Sequence, residues 1–309
     1  MTDIAVIGGG IAGLSAAIYA CRAGKSVTVF EGNMFGGQIV YAGSVENYPG
    51  VRSISGPDIA DNLRNQAFAL GAHSESKNVT GIEVSRDCKT VFCGSSGHEC
   101  RSIIICSGTE HRKLGLSGED RLNGRGISYC AQCDGAFFKN KTVAVAGGGN
   151  TALDDSVYLS GICEKVYIVH RRNEFRGNPM TVKRLERTPN VEMVLDSEIN
   201  ALNGENELQG ITVRSKKSGA IRSIDCKGLF IAVGRIPKNN IFLPYVCLDS
   251  SGFIETDEEM RTATEGIFAA GDCRKKSLRQ LVTAASDGAV AATKALEYLK
   301  DCKKLPVFS

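Results

Sequence analysis

The chain has 309 residues, 42% hydrophobic and 23% charged, with 35 glycines against 7 prolines. That is enough polypeptide for two domains with separate cores, and the composition is that of a turn-rich globular protein rather than a disordered or fibrous one. A formal charge of +3, from 37 basic and 34 acidic side chains interspersed along the chain, supplies no field for nucleic acid or an anionic membrane.

Met1 to Gly8 enters an apolar strand at once, without a basic segment, a long apolar segment or a cleavage signal, so a cytoplasmic protein is expected. The apolar runs are strand-sized, short of the roughly 20 residues a membrane helix needs. Ile4 to Ile7 is the first strand, and Gly8-Gly9-Gly10-Ile11-Ala12-Gly13 leads from it into a small-residue helix, Leu14 to Cys21. A second strand, Val27 to Phe30, ends on Glu31. This βαβ unit carries G-x-G-x-x-G at Gly8, Gly10 and Gly13, with an acid about 20 residues on, which is the dinucleotide-binding arrangement. Gly8 makes the tight turn, Gly10 admits a pyrophosphate to the backbone, Gly13 lets helix and strand approach, and the helix N-terminus favours negative charge. Glu31 can accept both hydroxyl protons of an adenosine ribose. Gly36-Gly37-Gln38 and Glu46-Asn47-Tyr48-Pro49-Gly50 read, by themselves, as loops.

Short strands with polar turns follow, at Val79 to Val84 and Lys89 to Cys93, before the wholly apolar Ile103-Ile104-Ile105-Cys106. That last run fits a strand buried on both faces of a parallel sheet, and Ser107-Gly108 after it makes a second backbone turn near the nucleotide. A charged connector from Glu110 to Asp120 leads to Cys130-Ala131-Gln132-Cys133-Asp134-Gly135. Two cysteines at this spacing can close a small disulfide, and in a reducing compartment such a pair is catalytic or metal-binding more often than structural. A zinc site would need two further ligands, and neither a second C-x-x-C nor a histidine pair occurs among His73, His98, His111 and His170. The other ten cysteines, Cys302 among them, have no paired spacing and read as small hydrophobes or idle thiols.

The pattern then starts again. Thr142 to Ala146 is a strand, Gly147-Gly148-Gly149-Asn150-Thr151-Ala152 a G-x-G-x-x-A loop, Leu153 to Ser160 a helix, and Lys165 to Val169 the next strand. Strands around Ile199, Gly210 to Arg214 and Ile221 to Lys227 precede Leu229 to Gly234, which echoes Ile103 to Gly108. The second unit departs from the first at the end of its second strand, where His170-Arg171-Arg172, with Arg176 beyond, replaces the acid. A carboxylate there would repel a phosphate and guanidinium forks can grip one, so the expected ligand is NADPH with its ribose 2′-phosphate. Gly266 to Ala270, closed by Gly271-Asp272, is one more strand, and a long small-residue helix after Arg279-Gln280-Leu281 reaches Lys300. A lone strand needs a sheet, so the tail returns to the first domain. The expected architecture is α/β, with two doubly wound, three-layer Rossmann-like domains: residues 1–113 with 241–309, and an inserted domain at 114–240. Two connections make a natural hinge.

Taken together, these motifs resemble the low-molecular-weight thioredoxin reductases over essentially the whole chain. The resemblance implies FAD in the split domain, NADPH in the inserted domain beside the redox dithiol, a homodimer, and thioredoxin as the disulfide reduced. It further implies that Gly37, Gln38, Asn47, Ser107, Gly108, Gly271, Asp272, Arg279, Gln280 and Leu281 serve the flavin cofactor. In this scheme Cys133 faces the flavin, Cys130 attacks thioredoxin, and Asp134 supplies the proton to a leaving thiolate. The chain departs from the family at Gln132, where Thr is usual, which bears on the dithiol's potential and partner preference. A ferredoxin-fed flavin reductase of the same architecture should lack the Arg171-Arg172-Arg176 cluster. Reduction of another small redoxin and a non-catalytic dinucleotide-sensing module are the remaining alternatives.

Overall fold

The computed structural model describes residues 1–42, 44–85 and 88–301; Cys302 and the remainder of the tail lie outside them. The chain packs as two compact units, 1–110 with 236–309, and 111–235.

The first unit begins with β1 (Thr2–Ile7), α1 (Ile11–Arg22), β2 (Val27–Phe30), α2 (Gly56–Ala69), β3 (His73–Glu75), β4 (Gly81–Val84), β5 (Lys89–Cys93) and β6 (Ser96–Ile105). The chain then crosses at β7 (Glu110–His111). The second unit holds α3 (Glu119–Leu122), β8 (Ile127–Ser128), α4 (Ala131–Asp134), β9 (Thr142–Ala146), α5 (Asn150–Ser160), β10 (Lys165–Val169), α6 (Pro179–Glu186) and β11 (Val191–Val194). It continues with β12 (Ser197–Asn203), β13 (Gly210–Ser215), β14 (Ile221–Asp225) and β15 (Gly228–Ile231), and the chain crosses back at β16 (Arg235–Ile236). The first unit is completed by β17 (Ile267–Ala269) and α7 (Leu281–Asp301).

In the first sheet the order is β3-β2-β1-β6-β5-β4, and the returning β17 pairs with β6 in parallel, Ile267 opposite Ile103. The tail therefore joins the first domain's sheet, as a strand with no other sheet of its own must. Along β1 alternate residues enter different cores: Ile4 and Val6 pack with α1 and α7, while Ala5 and Ile7 pack with Phe242, Val246 and Ile254. Burial on both faces is why this strand reads as a continuous apolar run instead of an alternating one. β6 begins at Ser96, seven residues before the expected Ile103, because its polar first half pairs antiparallel with β5. Besides the four-residue α3 and α4, two longer helices are absent from the sequence reading. α2 is started by Ser55, whose Oγ accepts the Asp58 amide, with a proline in the first turn; α6 is started in the same way by the Asn178 side chain accepting the Met180 amide. Both carry the capping residue followed by proline that marks a helix start.

The second unit repeats the plan with a parallel sheet, β11-β10-β9-β15-β8, and an antiparallel β12-β13-β14 sheet. Val143 and Val145 of β9 face one core with Leu153, Leu159 and Ile168, and Ala144 and Ala146 face another with Ile211, Leu229 and Ile231. Each fully buried Val, Leu or Ile side chain contributes about 1.5–3 kcal/mol, so the strands hold the loops at their ends firmly. The compact units part at 110/111 and 235/236. Asn239 is tied to the first unit: its amide donates to the carbonyls of Gly252 and Cys273, and its oxygen accepts from Ser107 Oγ. Among the described residues no helix is long and apolar enough to cross a membrane.

Candidate active site

The first glycine loop leaves the carboxyl end of β1, and α1 begins at Gly10 with no side chain capping it, so its first amides remain available to a ligand. A Cβ on Gly13 would stand 1.9 Å from the Gly8 carbonyl oxygen, so only glycine permits α1 to lie this close to β1. Glu31 ends β2 with its carboxylate turned onto the loop: Oε2 accepts the Gly9 amide at 2.7 Å and Oε1 the Asn33 amide at 2.8 Å. Each oxygen keeps acceptor capacity for a ribose hydroxyl.

Gly36, Gly37, the Cys106-Ser107 peptide and Gly271, all remote in sequence, converge on this loop, and other expected site residues contact one another. Gly36 pairs with Gly10 in an isolated bridge, and a Cβ on Gly37 would lie 3.4 Å from the Gly10 Cα. Gly8 abuts the Cys106 carbonyl and the Ser107 amide, just ahead of Gly108. Gly271 lies against the Ala12 side chain and donates its amide to Asp287 Oδ2 at 3.0 Å. Asn47 Nδ2 donates to Gln280 Oε1 at 3.1 Å across a sequence gap of 233 residues. Arg279 lies over the Phe253 ring at 4.2 Å and donates to the carbonyls of Asp272 and Arg274. Leu281 opens α7, and Gln38 lies in the single-turn helix Gly37–Tyr41. An uncapped helix start, a carboxylate at the strand end and an open glycine cradle form a donor set that fits an adenine dinucleotide, the adenosine end of FAD included.

Asp287, which sequence reasoning missed, holds the Gly271 turn. It is 5% exposed and accepts from Arg274 and from Lys276 at 2.7 Å. Burial pushes its carboxyl up, and the bonds and charges of Arg274 and Lys276 more than reverse that, holding it below the ordinary range. A charged residue on the small, apolar face of α7, next to Gly288, was the available signal.

The second glycine loop has the same construction: α5 starts at Gly149 without a side-chain cap. Gly147, at φ 151°, passes so near Ala232 that a Cβ would meet its carbonyl oxygen at 2.4 Å. The Arg176 amide donates to the Gly148 carbonyl at 2.8 Å and the Asn178 amide to Asn150 Oδ1 at 2.7 Å, so the arginine segment is laid along the loop. Arg171, Arg172 and Arg176 are exposed, as are Asn150 and Thr151, while Ala152 is buried beneath them. His170 is placed differently. Only 5% exposed, it stacks on Phe175 at 5.4 Å, meets Glu174 O with Nε2, and sits against Gly148. Burial lowers its pKa, and the three arginines add to that. It braces the loop from inside, whereas the arginines face outward. Three exposed guanidinium groups at the strand end fit the 2′-phosphate of NADPH.

In the same unit Cys130 and Cys133 are joined as a disulfide, with Cα atoms 5.3 Å apart, at the start of α4. The amides of Cys133 and Asp134 both donate to the Cys130 carbonyl, which closes the turn. Asp134 is raised above the ordinary carboxyl range by burial, against which a hydrogen bond from Ser128 works. A half-buried acid next to a dithiol in sequence is a competent proton donor. Gln132 is exposed between the cysteines. Tyr129, just before the pair, donates to Oε1 of the buried Glu119 at 2.7 Å and stacks on His111, whose pKa burial and Arg235 lower to about 4.

Two glycine cradles of opposite charge preference and a dithiol turn define a redox protein that works through nucleotides and a disulfide. The chain belongs to the pyridine nucleotide-disulphide oxidoreductase family, whose model matches residues 2–288. It is 42% identical over 298 residues to a thioredoxin reductase of Treponema pallidum, covering 96% of this chain and 97% of that protein. A thioredoxin reductase of Listeria monocytogenes is 42% identical over 303 residues, covering 98% of this chain and 95% of the relative. Among solved structures, the thioredoxin reductase of Streptococcus pyogenes matches with a TM-score of 0.92 at 36% identity, over 97% of this chain and 99% of that one.

Proposed function

We infer that this protein is an NADPH-dependent flavoprotein that reduces the disulfide of thioredoxin, with residues 1–110 and 236–309 holding FAD and residues 111–235 holding NADPH and the redox disulfide. The observation that carries the reading is the Cys130–Cys133 disulfide in one chain with two nucleotide cradles, one presenting Glu31 and the other Arg171, Arg172 and Arg176. The relatives' names and their near-complete coverage support thioredoxin as the substrate. Nine free cysteines with no disulfide partner among the described residues fit a reducing compartment, the cytoplasm, and the family resemblance supports a homodimer.

When bound, FAD accepts a hydride equivalent from NADPH and passes two electrons to the disulfide. The protein's own residues then do the exchange. Two electrons break the Cys130–Cys133 bond and leave two thiolates, with Asp134 still protonated. The Cys130 thiolate attacks the thioredoxin disulfide and a thioredoxin thiolate leaves, taking a proton from the Asp134 carboxyl. Cys133, as thiolate, attacks the mixed disulfide, re-forms the Cys130 bond and releases the second thioredoxin sulfur as a thiolate, which takes a proton from solvent, as the Asp134 carboxylate does. Overall, NADPH, a proton and thioredoxin disulfide become NADP and thioredoxin dithiol.

The test is steady-state thioredoxin reduction with NADPH, NADH and reduced ferredoxin side by side. NADPH is expected to be preferred; efficient reduction with ferredoxin but not NADPH would replace this reading by the ferredoxin-fed one. Cys133→Ser should trap a lasting mixed disulfide between Cys130 and thioredoxin, and trapping by Cys130→Ser instead would exchange the two roles.

A further inference from the structure

We propose that Ser128 is a positioning residue for Asp134: its hydroxyl, anchored by the Cys130 amide, fixes the Asp134 carboxyl against the turn that carries both sulfurs. The inference rests on the reading of Asp134 as proton donor and adds the residue that aims it. Ser128 is the last residue of β8 and is 3% exposed. Its Oγ accepts the Cys130 amide at 3.1 Å and has one proton to give. Two acceptors compete for it, Asp134 Oδ2 at 2.6 Å and the Cys130 carbonyl at 3.3 Å, and the shorter contact to a carboxylate is the stronger bond.

The result is a closed ring. Cys130 N, Ser128 Oγ and Asp134 Oδ2 form one side, and the Asp134 amide returning to the Cys130 carbonyl at 3.1 Å forms the other. Rotating the Asp134 side chain opens the ring, so Ser128 holds one rotamer. Oδ1 carries no hydrogen bond among the described residues, which leaves it as the oxygen through which a proton passes. Of the ionisable groups on the packed elements, Asp154, Asp155 and Tyr158 of α5 and Tyr129 ahead of the turn, none bonds or pairs with the carboxyl. The Cys130 and Cys133 thiols join them once the disulfide opens.

Two consequences follow on losing the hydroxyl. The carboxyl is freed to rotate, and burial, which raises Asp134, is no longer opposed by a donor that favours its charged form. The limb on which rate falls with rising pH, as the acid loses its proton, therefore moves to higher pH, while the rate on the plateau drops.

The experiment is stopped-flow reoxidation of NADPH-reduced, FAD-loaded enzyme by excess bacterial thioredoxin disulfide, from about pH 5.5 to 9. Ser128→Ala is expected to slow the plateau by about 3–10-fold, the weight of one hydrogen bond, and to shift the limb upward. Ser128→Thr, which keeps the hydroxyl, restores both. Asp134→Asn removes the limb, and adding Ser128→Ala to it changes the rate less than about twofold, because the two residues act as one unit. An unmoved limb in Ser128→Ala, or fully additive losses in the double variant, overturns the role of Ser128 alone. A wild-type enzyme that thioredoxin does not reoxidise, or a limb that survives Asp134→Asn, overturns the underlying reading and this inference with it.

Discussion

Replacing Asp287 by asparagine tests how the Gly271 loop is held. The wild-type carboxylate receives Arg274 Nε at 2.8 Å and Nη2 at 3.0 Å, Lys276 Nζ at 2.7 Å and the Gly271 amide at 3.0 Å. Both cationic side chains are largely buried, Arg274 at 15% exposure and Lys276 at 7%. Asparagine keeps the size and part of the hydrogen bonding but strands two positive charges with no anion between them. Removing one partner from such a buried cluster costs about 3–5 kcal/mol. At about 2–4 °C per kcal/mol for a domain of this size, the transition falls by about 6–20 °C. The sign with pH is fixed by the lowered folded-state pKa. The contribution is complete above the unfolded carboxyl's pKa near 3.9 and is lost as pH falls through the folded value, so variant and wild type converge in acid. Calorimetry of the apoprotein and the FAD-loaded protein, at neutral and acidic pH, measures this, and weaker FAD binding should accompany the loss. Lys276→Met placed on the Asp287→Asn background should recover part of it by removing an unpaired cation. A drop below about 2 °C at neutral pH, or one undiminished in acid, refutes the reasoning.

The second cradle offers a contrast between neighbouring glycines. A Cβ on Gly149 meets nothing within 4 Å, so Gly149→Ala should leave the melting temperature unchanged and raise the KM for NADPH, the added methyl standing where pyrophosphate approaches. Gly147→Ala, strained at φ 151° and against Ala232, should lower the melting temperature itself, and equal effects at both positions would count against the cradle. Arg176→Gln should raise the KM for NADPH by about 10–100-fold, the range for one charged hydrogen bond, and leave that for NADH within twofold; a parallel loss for both would remove the 2′-phosphate from the argument.

Much of the fold was legible because each strand-loop-helix unit writes its own signals locally. The apolar runs, the glycine spacing and the acid or arginines at the second strand's end all lie within about 30 residues of each other. The missed helices α2 and α6 also announced themselves, through Ser55 and Asn178 followed by proline, and could have been read. His170 could not: adjacency to Arg171 and Arg172 suggests a shared task, and only packing against Gly148 and Phe175 turns it inward. Ser128 and Asp134 are six residues apart with no periodicity between them, so their 2.6 Å bond exists only because α4 folds back on β8.

By itself the sequence determined the two nucleotide loops, their opposite charge preferences and the dithiol, since each follows from backbone freedom and charge within a short segment. Tertiary structure alone decided what lies beneath and beside them: Asn47 on Gln280, Asp287 under Gly271, and Ser128 on Asp134. A linear pattern records which groups are available, but hydrogen bonds act over about 3 Å, and that proximity is set only when burial of the sheets' two apolar faces brings distant segments together.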